Sequence, residues 1–442
     1  MDRFQEPETA VVVGAGAAGL WAAIALARRG VRVTLLDGAA VGSGASWGNA
    51  GWLCPSQAGP LPEPGQIAYG LRSLADRRSA LYMAPTSIPG MALWLAAFAR
   101  RCNRRDYAAG VRAMSHLGYP SFALVSALLA EEEDAPAAER SGLMVAAAEA
   151  APVQAFLAAV RPLRDQGHEL PDRLLDDDEL GELEPGLVGK AKAVHVADHW
   201  QVDPARFLQY LARRARALGV DIRERWEVSG FEVAGRRVTA VRCLNATIPA
   251  DALVIAAGAA SRSLAADLGV HLPVVAGKGY SLDVVEPDWM PRHALMYMDT
   301  HLAVSPYGDR LRVAGTMEFS RRRSPDPERV RALEDVARDT FGGWRDAAPA
   351  WMGARPIVPD GLPVVGRLPG LVNAYAATGY SMLGMTISPA SGELLAEEVM
   401  TGSKPAIAAP FDPARFARWL RPPLRRCGAR RATVSTRTTE TR

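Results

Sequence analysis

The sequence predicts an α/β protein, α+β overall: a parallel sheet flanked by helices, with a β-rich domain inserted into it. Three observations predict it. A short apolar run near the N-terminus passes through a glycine-rich turn into an Ala/Leu-rich stretch, the order of a parallel βαβ unit. Residues 220–255 read as short strands divided by turns at Gly230 and Gly235. A last apolar segment, ending in Thr378-Gly379, turns into a helix that runs to about Met400. At 442 residues the chain exceeds one compact core and suits two intimately connected domains. With 49% hydrophobic and 22% charged residues it has ample material to bury.

In chain order, Ala10 to Val13 has the continuous apolar character of a buried parallel strand. Gly14-Ala15-Gly16-Ala17-Ala18-Gly19 follows at once and opens the helical stretch Leu20 to Arg29. Gly30 ends that helix, Val31 to Leu36 reads as the second strand, and Asp37 closes it 18 residues after Gly19. Each part has a mechanical reason. Gly14 permits a tight turn, Gly16 lets main chain approach a pyrophosphate, and Gly19 allows close helix–strand packing. The helix N-terminus offers free N–H groups and a positive dipole end to phosphates. Asp37 is placed to accept hydrogen bonds from ribose hydroxyls, and its charge disfavours a 2′-phosphate. The unit reads as a Rossmann-like dinucleotide site.

That fingerprint serves FAD and NAD alike, so the rest of the chain must decide. Gly42-Ser43-Gly44-Ala45-Ser46-Trp47-Gly48-Asn49-Ala50-Gly51 is a stretch of small residues that lets main chain lie against a flat ring. Asp203-Pro204 starts a helix with an N-cap and an N1 proline, and Gly219 ends it. Leu253 to Gly258 reads as another buried strand ending at the cofactor. GARPIVPDG at Gly353 to Gly361 and TGYSMLG at Thr378 to Gly384 follow.

Together with GKGYSLDV at Gly277 to Val284 and LRVAGTMEF at Leu311 to Phe319, these motifs resemble the D-amino-acid oxidase/glycine oxidase superfamily. Within it they are most similar to the bacterial D-amino-acid dehydrogenases, from about Ala10 to Pro410. The resemblance implies a Rossmann-like FAD-binding domain holding FAD non-covalently, with an inserted β-rich substrate-binding domain. On that layout residues 1–52, 200–270 and 350–415 form the FAD-binding domain, 53–199 and 271–349 the substrate-binding domain, and 416–442 a basic, disordered tail. It implies oxidative deamination of a small D-amino acid or cyclic imino acid. Hydride passes from Cα to flavin N5, and the imine hydrolyses to keto acid and ammonia. The electrons go to a quinone or another carrier. An O2-using oxidase of the glycine or sarcosine type would share the same binding residues. No second GxGxxG is present for a nicotinamide nucleotide, so the substrate itself is the expected reductant.

Amine oxidation by flavin asks the protein chiefly for orientation and electrostatics. A carboxylate is best held by a bidentate arginine, and Arg355 matches the family's carboxylate-binding arginine. Tyr280 matches a position lining the cavity, with packed core as the competing reading. Tyr380 stands where the dehydrogenases carry histidine. Glu318 reads as a solvated strand-end acid, and Cys54 as an inert small residue. The expected cofactor contacts are Gly14, Ala15, Gly16, Ala17, Ala18, Gly19, Asp37, Ser46, Asn49, Ala50, Gly51, Val228, Ala257, Gly258, Gly379, Leu383 and Gly384. The helix from Gly384 is expected to aim its N-terminus at the flavin pyrimidine ring, where reduced flavin is anionic.

Other functions find little footing. The cysteines Cys54, Cys102, Cys243 and Cys427 form no CxxC pair, against a disulfide framework, a zinc ribbon or a reductase dithiol. His195 and His199 have a helical metal-pair spacing in a segment that reads as strand and loop, so no metal is expected. Net charge is +3, but residues 421–442 carry seven arginines and one acid, Glu440, which leaves the body acidic. No basic, aromatic-interleaved face supports nucleic-acid binding. The opening MDRFQEPE lacks a signal-peptide pattern, so the expected location is cytoplasmic. The tryptophan-bearing segment Met91 to Phe98, followed by arginines 100, 101, 104 and 105, suits either peripheral contact with the inner face of the plasma membrane or a cavity-covering helix. A non-catalytic, membrane-docked flavin module is a further reading, against which the intact Arg355 argues.

Overall fold

The structure, a computed structural model, describes residues 5–416 except 74–75, 133–134, 137, 166–167 and 245. From 417 onward the expected basic tail lies outside the described residues. The first half of the chain contributes β1 (Thr9–Val13), α1 (Ala17–Ala27), β2 (Arg32–Leu36), α2 (Ile88–Arg101), α3 (Arg104–Leu129), β3 (Leu143–Ala147), β4 (Lys192–Val196), α4 (Pro204–Ala217) and β5 (Asp221–Arg223). The second contributes β6 (Ala252–Ile255), β7 (Val275–Pro287), β8 (Ala294–Tyr297), β9 (Leu302–Tyr307), β10 (Arg310–Phe319) and α5 (Pro327–Phe341). It ends with β11 (Trp344–Ala347), β12 (Trp351–Ile357), β13 (Val364–Arg367), β14 (Ala374–Thr378) and α6 (Gly384–Thr401).

A six-stranded sheet in the order β13-β14-β6-β1-β2-β5 carries the nucleotide motif. All its pairs are parallel except β13 with β14. From Ala10 to Val13 β1 is apolar because both faces are covered. Ala10 and Val12 pack into the core shared with α1, α4 and α6, while Val11 and Val13 enter a separate core on the other side. That second core includes the antiparallel strands Val228–Ala234, Arg237–Cys243 and Thr247–Pro249. Gly235, at φ +62, makes the expected turn between the first two. Gly230 does not turn the chain: it lies inside its strand, paired with Arg242, so that expectation is corrected. α4 starts as its sequence requires, with Asp203 accepting from the N–H groups of Ala205 and Arg206 ahead of Pro204.

A second, mixed sheet runs β11-β7-β10-β9-β8-β3-β4, with β12 added beside β7 and Leu81–Met83 beside β10. The long β7 serves two partners, β12 along its first half and β11 along its second. α5 covers one face of this sheet, where Leu333, Ala337 and Phe341 join its core. α2 packs inward: Met91 and Trp94 lie against Val275, Phe319 and Ile357, and Trp94 Nε1 donates to the Pro273 carbonyl at 2.9 Å. Among the described residues no helix is long and apolar enough to cross a membrane.

Candidate active site

The turn from β1 into α1 is shaped by its glycines. A Cβ on Gly14 would lie 2.5 Å from the Ala256 carbonyl oxygen, and one on Gly19 would overlap the Gly14 carbonyl. Gly16 differs, because a Cβ there would meet only Ser46 Oγ, at 3.4 Å, so its outer side is open. Ser46 Oγ accepts from the Ala17 N–H at 3.3 Å. Asp37 accepts from the N–H groups of Ala15 at 2.7 Å and Ala39 at 2.8 Å. The Trp226 N–H donates to the Asp37 carbonyl at 2.7 Å, which brings the segment ending at Val228 alongside β2. Ala257 abuts Gly14 on the other side, and the Gly258 carbonyl accepts from Thr378 Oγ1 at 2.9 Å. Neither α1 nor α6 is capped by the side chain of its N-cap residue, Gly16 or Leu383. Gly379, at φ +76, turns the chain out of β14 toward Gly384, the first residue of α6. Two helix starts without an N-cap side chain, a main chain open at Gly16 and a carboxylate at the end of β2 fit a dinucleotide.

The loop Ser46–Trp52 is gripped by the mixed sheet. Arg312, only 4% exposed, bonds Asp283 at 2.7 and 2.8 Å and turns Nη1 to the carbonyls of Trp47 (3.1 Å) and Asn49 (3.0 Å). Ser305 Oγ and the Tyr307 hydroxyl both donate to the Ala50 carbonyl, at 2.7 and 2.8 Å. Asn49 Oδ1 accepts from the Gly51 N–H at 2.6 Å, folding the loop on itself. Burial alone would raise the Asp283 carboxyl, but the bonds and charges of Arg312 and Arg310 outweigh it and hold the group below its usual range.

Beside this loop, β7 and β12 present a face with few side chains. In their register Gly277 pairs with Arg355, Gly279 with Gly353 and Ser281 with Trp351, so these six share one face. A Cβ on Gly279 would strike the Arg355 guanidinium, and one on Gly277 would strike Ile357 and Met317. A Cβ on Gly353 or on Gly48 would strike the Trp351 indole, which therefore spans from the glycine floor to the loop Ser46–Trp52. Arg355 lies across that floor. Its Nη1 donates to the Thr316 carbonyl at 2.6 Å and approaches Met317 Sδ at 3.9 Å. No carboxylate partners it among the described residues, and burial pulls its pKa down to about 10, so it stays charged at neutral pH. A half-buried guanidinium with unfilled donors has the chemistry to take an anion. Two residues with positive φ adjoin it: Thr316 at +62 and Ser381 at +52, the latter donating its N–H to the Pro356 carbonyl at 2.9 Å.

Tyr280 is not brought to Arg355. It alternates onto the opposite face of β7, is 1% exposed, and donates to Glu318 at 2.5 Å while accepting from the Asp326 N–H at 3.2 Å. Glu318, expected at the solvent, is fully buried there and forms an ion pair with Arg329 at 3.3 Å. The Tyr380 hydroxyl also turns inward, meeting Ser391 Oγ of α6 at 2.8 Å. His195 Nε2 contacts the Ser141 carbonyl at 3.1 Å, whereas buried His199 finds no hydrogen-bond partner among the described residues, and burial drops its pKa to about 3. Sequence reasoning missed Arg312, Trp351, Thr316 and Ser381. Two signals could have found the first pair: an arginine flanked by Leu311 and Val313 within a largely apolar strand, and a tryptophan four residues before Arg355 on the same strand face.

This arrangement has relatives. Glycine oxidase from Geobacillus kaustophilus superposes with a TM-score of 0.71 at 23% identity, covering 93% of this chain and 99% of its own. Iminodiacetate oxidase from Chelativorans sp. BNC1 gives 0.70 at 22%, covering 91% and 98%. L-proline dehydrogenase from P. horikoshii gives 0.68 at 19%, covering 94% and 99%. At these identities the likeness establishes the fold. Residues 9–398 match the DAO family, described as FAD dependent oxidoreductase. With its nucleotide cradle, its second sheet and that match over most of its length, the chain belongs to the DAO family of FAD-dependent oxidoreductases.

Proposed function

We propose that this protein oxidises the carbon–nitrogen bond of a small D-amino acid or cyclic imino acid and passes the electrons to a quinone or another carrier. The observation that carries the reading is Arg355: a charged guanidinium without a carboxylate partner among the described residues, set over a glycine floor on the face that Trp351 joins to the cofactor loop. Its free donors suit a substrate carboxylate. Met317, Ile357 and Trp351 give the side chain apolar walls, and the inward-packed α2 shields that side from water. When bound, FAD supplies the two-electron acceptor for the substrate Cα–H. The names of the structural relatives, which include an oxidase of glycine, an oxidase of iminodiacetate and a dehydrogenase of L-proline, support an amino- or imino-acid donor.

The test is anaerobic. A panel of D-, L- and cyclic amino acids is added to the purified holoprotein, and flavin absorbance is followed. Bleaching by a D-amino acid or cyclic imino acid is expected; a flavin that no member of the panel reduces ends the proposal. Reoxidation by quinone with little response to air is the expected second step, and fast reoxidation by air would make the protein an oxidase.

A further inference from the structure

We propose that Thr316 and Ser381 are substrate-binding residues whose hydroxyls, beside Arg355, complete the recognition of an α-amino-carboxylate head group. The inference rests on the function proposed above and deepens it. Both residues hold positive φ, +62 and +52, a conformation that a side chain adopts only when its surroundings impose it, and least readily when β-branched like threonine. Both side-chain oxygens are buried and have no hydrogen-bond partner among the described residues. Ser261 and Ser388 also hold buried hydroxyls without a partner among the described residues, but only Thr316 and Ser381 combine that with positive φ and an anchor beside Arg355, which points to a partner there.

Their attachments say where that partner sits. The Thr316 carbonyl receives Arg355 Nη1 at 2.6 Å, and the Ser381 N–H reaches the carbonyl of Pro356, the next residue, at 2.9 Å. Thr316 comes from β10 of the mixed sheet; Ser381 comes from the turn that leads out of the parallel sheet into α6. Main-chain groups of the two residues therefore anchor at Arg355 and at its neighbour Pro356, from different sheets. Tyr280 and Tyr380, whose hydroxyls already have partners, offer nothing comparable.

The chemistry follows from what an amino acid presents. Arginine can satisfy the carboxylate but has no acceptor for an amine. A hydroxyl donates to one and accepts from the other. Thr316, fixed to Arg355 through its own carbonyl, donates to the carboxylate. Ser381, at the approach to the uncapped start of α6, accepts from the amine nitrogen.

The experiment compares the holoproteins of T316V, T316S and S381A with the parent. It measures KM and kcat, the affinity for a simple carboxylate without an amine, and thermal melting without ligand. For T316V we expect weaker carboxylate binding and a KM raised about tenfold, equivalent to one lost hydrogen bond of ordinary strength. T316S should recover most of it. S381A should weaken the amino acid and spare the amine-free carboxylate. Without ligand, both T316V and S381A should melt at the parent temperature or above it, because removing an unpaired buried hydroxyl relieves a cost. Lower melting with unchanged ligand affinity would make the hydroxyls structural and overturn the proposal. If the parent turns over amino acids and both variants bind like it, this proposal alone fails. If no amino acid reduces the parent, the functional reading fails, and loss of carboxylate binding in T316V would still locate the hydroxyl at the anion site.

Discussion

Asp283 and Arg312 stand opposite each other on neighbouring strands, joined by hydrogen bonds of 2.7 and 2.8 Å, and the arginine still reaches two carbonyls of the loop Ser46–Trp52. The pair holds strands of the mixed sheet against the loop that follows β2 of the parallel sheet. Asp283→Asn would leave a buried guanidinium without its counter-ion, expected to cost about 3–5 kcal/mol of stability. Urea unfolding of the apoprotein reads that loss, and FAD titration should show weaker binding as the loop loosens. Unchanged values in both would reduce the pair to packing.

The same carboxylate sets a pH dependence. Asp283 is held below its ordinary range, so in acid the unfolded chain takes up a proton that the folded chain refuses, and stability falls as pH falls. The contribution is complete above the ordinary carboxylate range and is withdrawn as pH drops through the lowered folded value. Melting temperature against pH should therefore slope downward into acid, and Asp283→Asn should flatten that slope. Parallel curves would assign the acid sensitivity elsewhere.

Arg355 predicts a limit at the alkaline end. With its pKa near 10, an amine-free carboxylate should bind evenly at lower pH and weaken by about tenfold per unit above it. Arg355→Lys should raise KM sharply, by roughly 2–5 kcal/mol in kcat/KM if a desolvated bidentate pair is lost. Calorimetric titration across that range, with kinetics of the variant, checks both. A lysine variant with parent kinetics would take the arginine out of the site.

Tyr280 separates packing from catalysis. Its hydroxyl serves the buried Glu318 and the Asp326 N–H, on the face of β7 away from Arg355. Tyr280→Phe should lower stability by about 1–3 kcal/mol, the worth of a hydrogen bond to a charged group, and leave KM alone. A KM shift without loss of stability would bring the tyrosine back to the substrate.

Two glycines in one turn should fail differently. Gly19→Ala forces a methyl group into the Gly14 carbonyl, and overpacking of this kind costs about 1–3 kcal/mol or more before any ligand is present. Gly16→Ala meets only Ser46 Oγ at 3.4 Å, so the apoprotein should melt normally yet lose FAD affinity. Circular dichroism melting and flavin titration of both variants make the comparison.

The first βαβ unit and the last helix were legible because their rules are local: a turn that admits only glycine, a helix opened by proline or closed by glycine. Asp203 and Gly219 bounded α4 for the same reason. The faces of β7 and β10 were not legible. An irregularity in their pairing between Lys278 and Tyr280, with Thr316 at positive φ opposite, puts Glu318 among buried groups, and its partner Arg329 comes from a helix that the strand pattern does not announce. Gly230 misled because a strand can carry a glycine without ending. Arg355 is proposed from its motif, whereas Thr316 and Ser381 become candidates only once their backbone angles and oxygens unpaired among the described residues are known.

The position of β1 between β2 and β6 sets the order in which this molecule can be assembled. Ala10 neighbours Val33 on one side and Ala252 on the other, and Leu253 in turn neighbours Ala374. The short closure is quick, while the long ones carry the entropy of very large loops and give the topology a high contact order. A flavin cradle encoded in β1 and α1 thus waits for β6 and β14, which are made much later. Yellow colour that survives washing would report that strands far apart in the sequence have met.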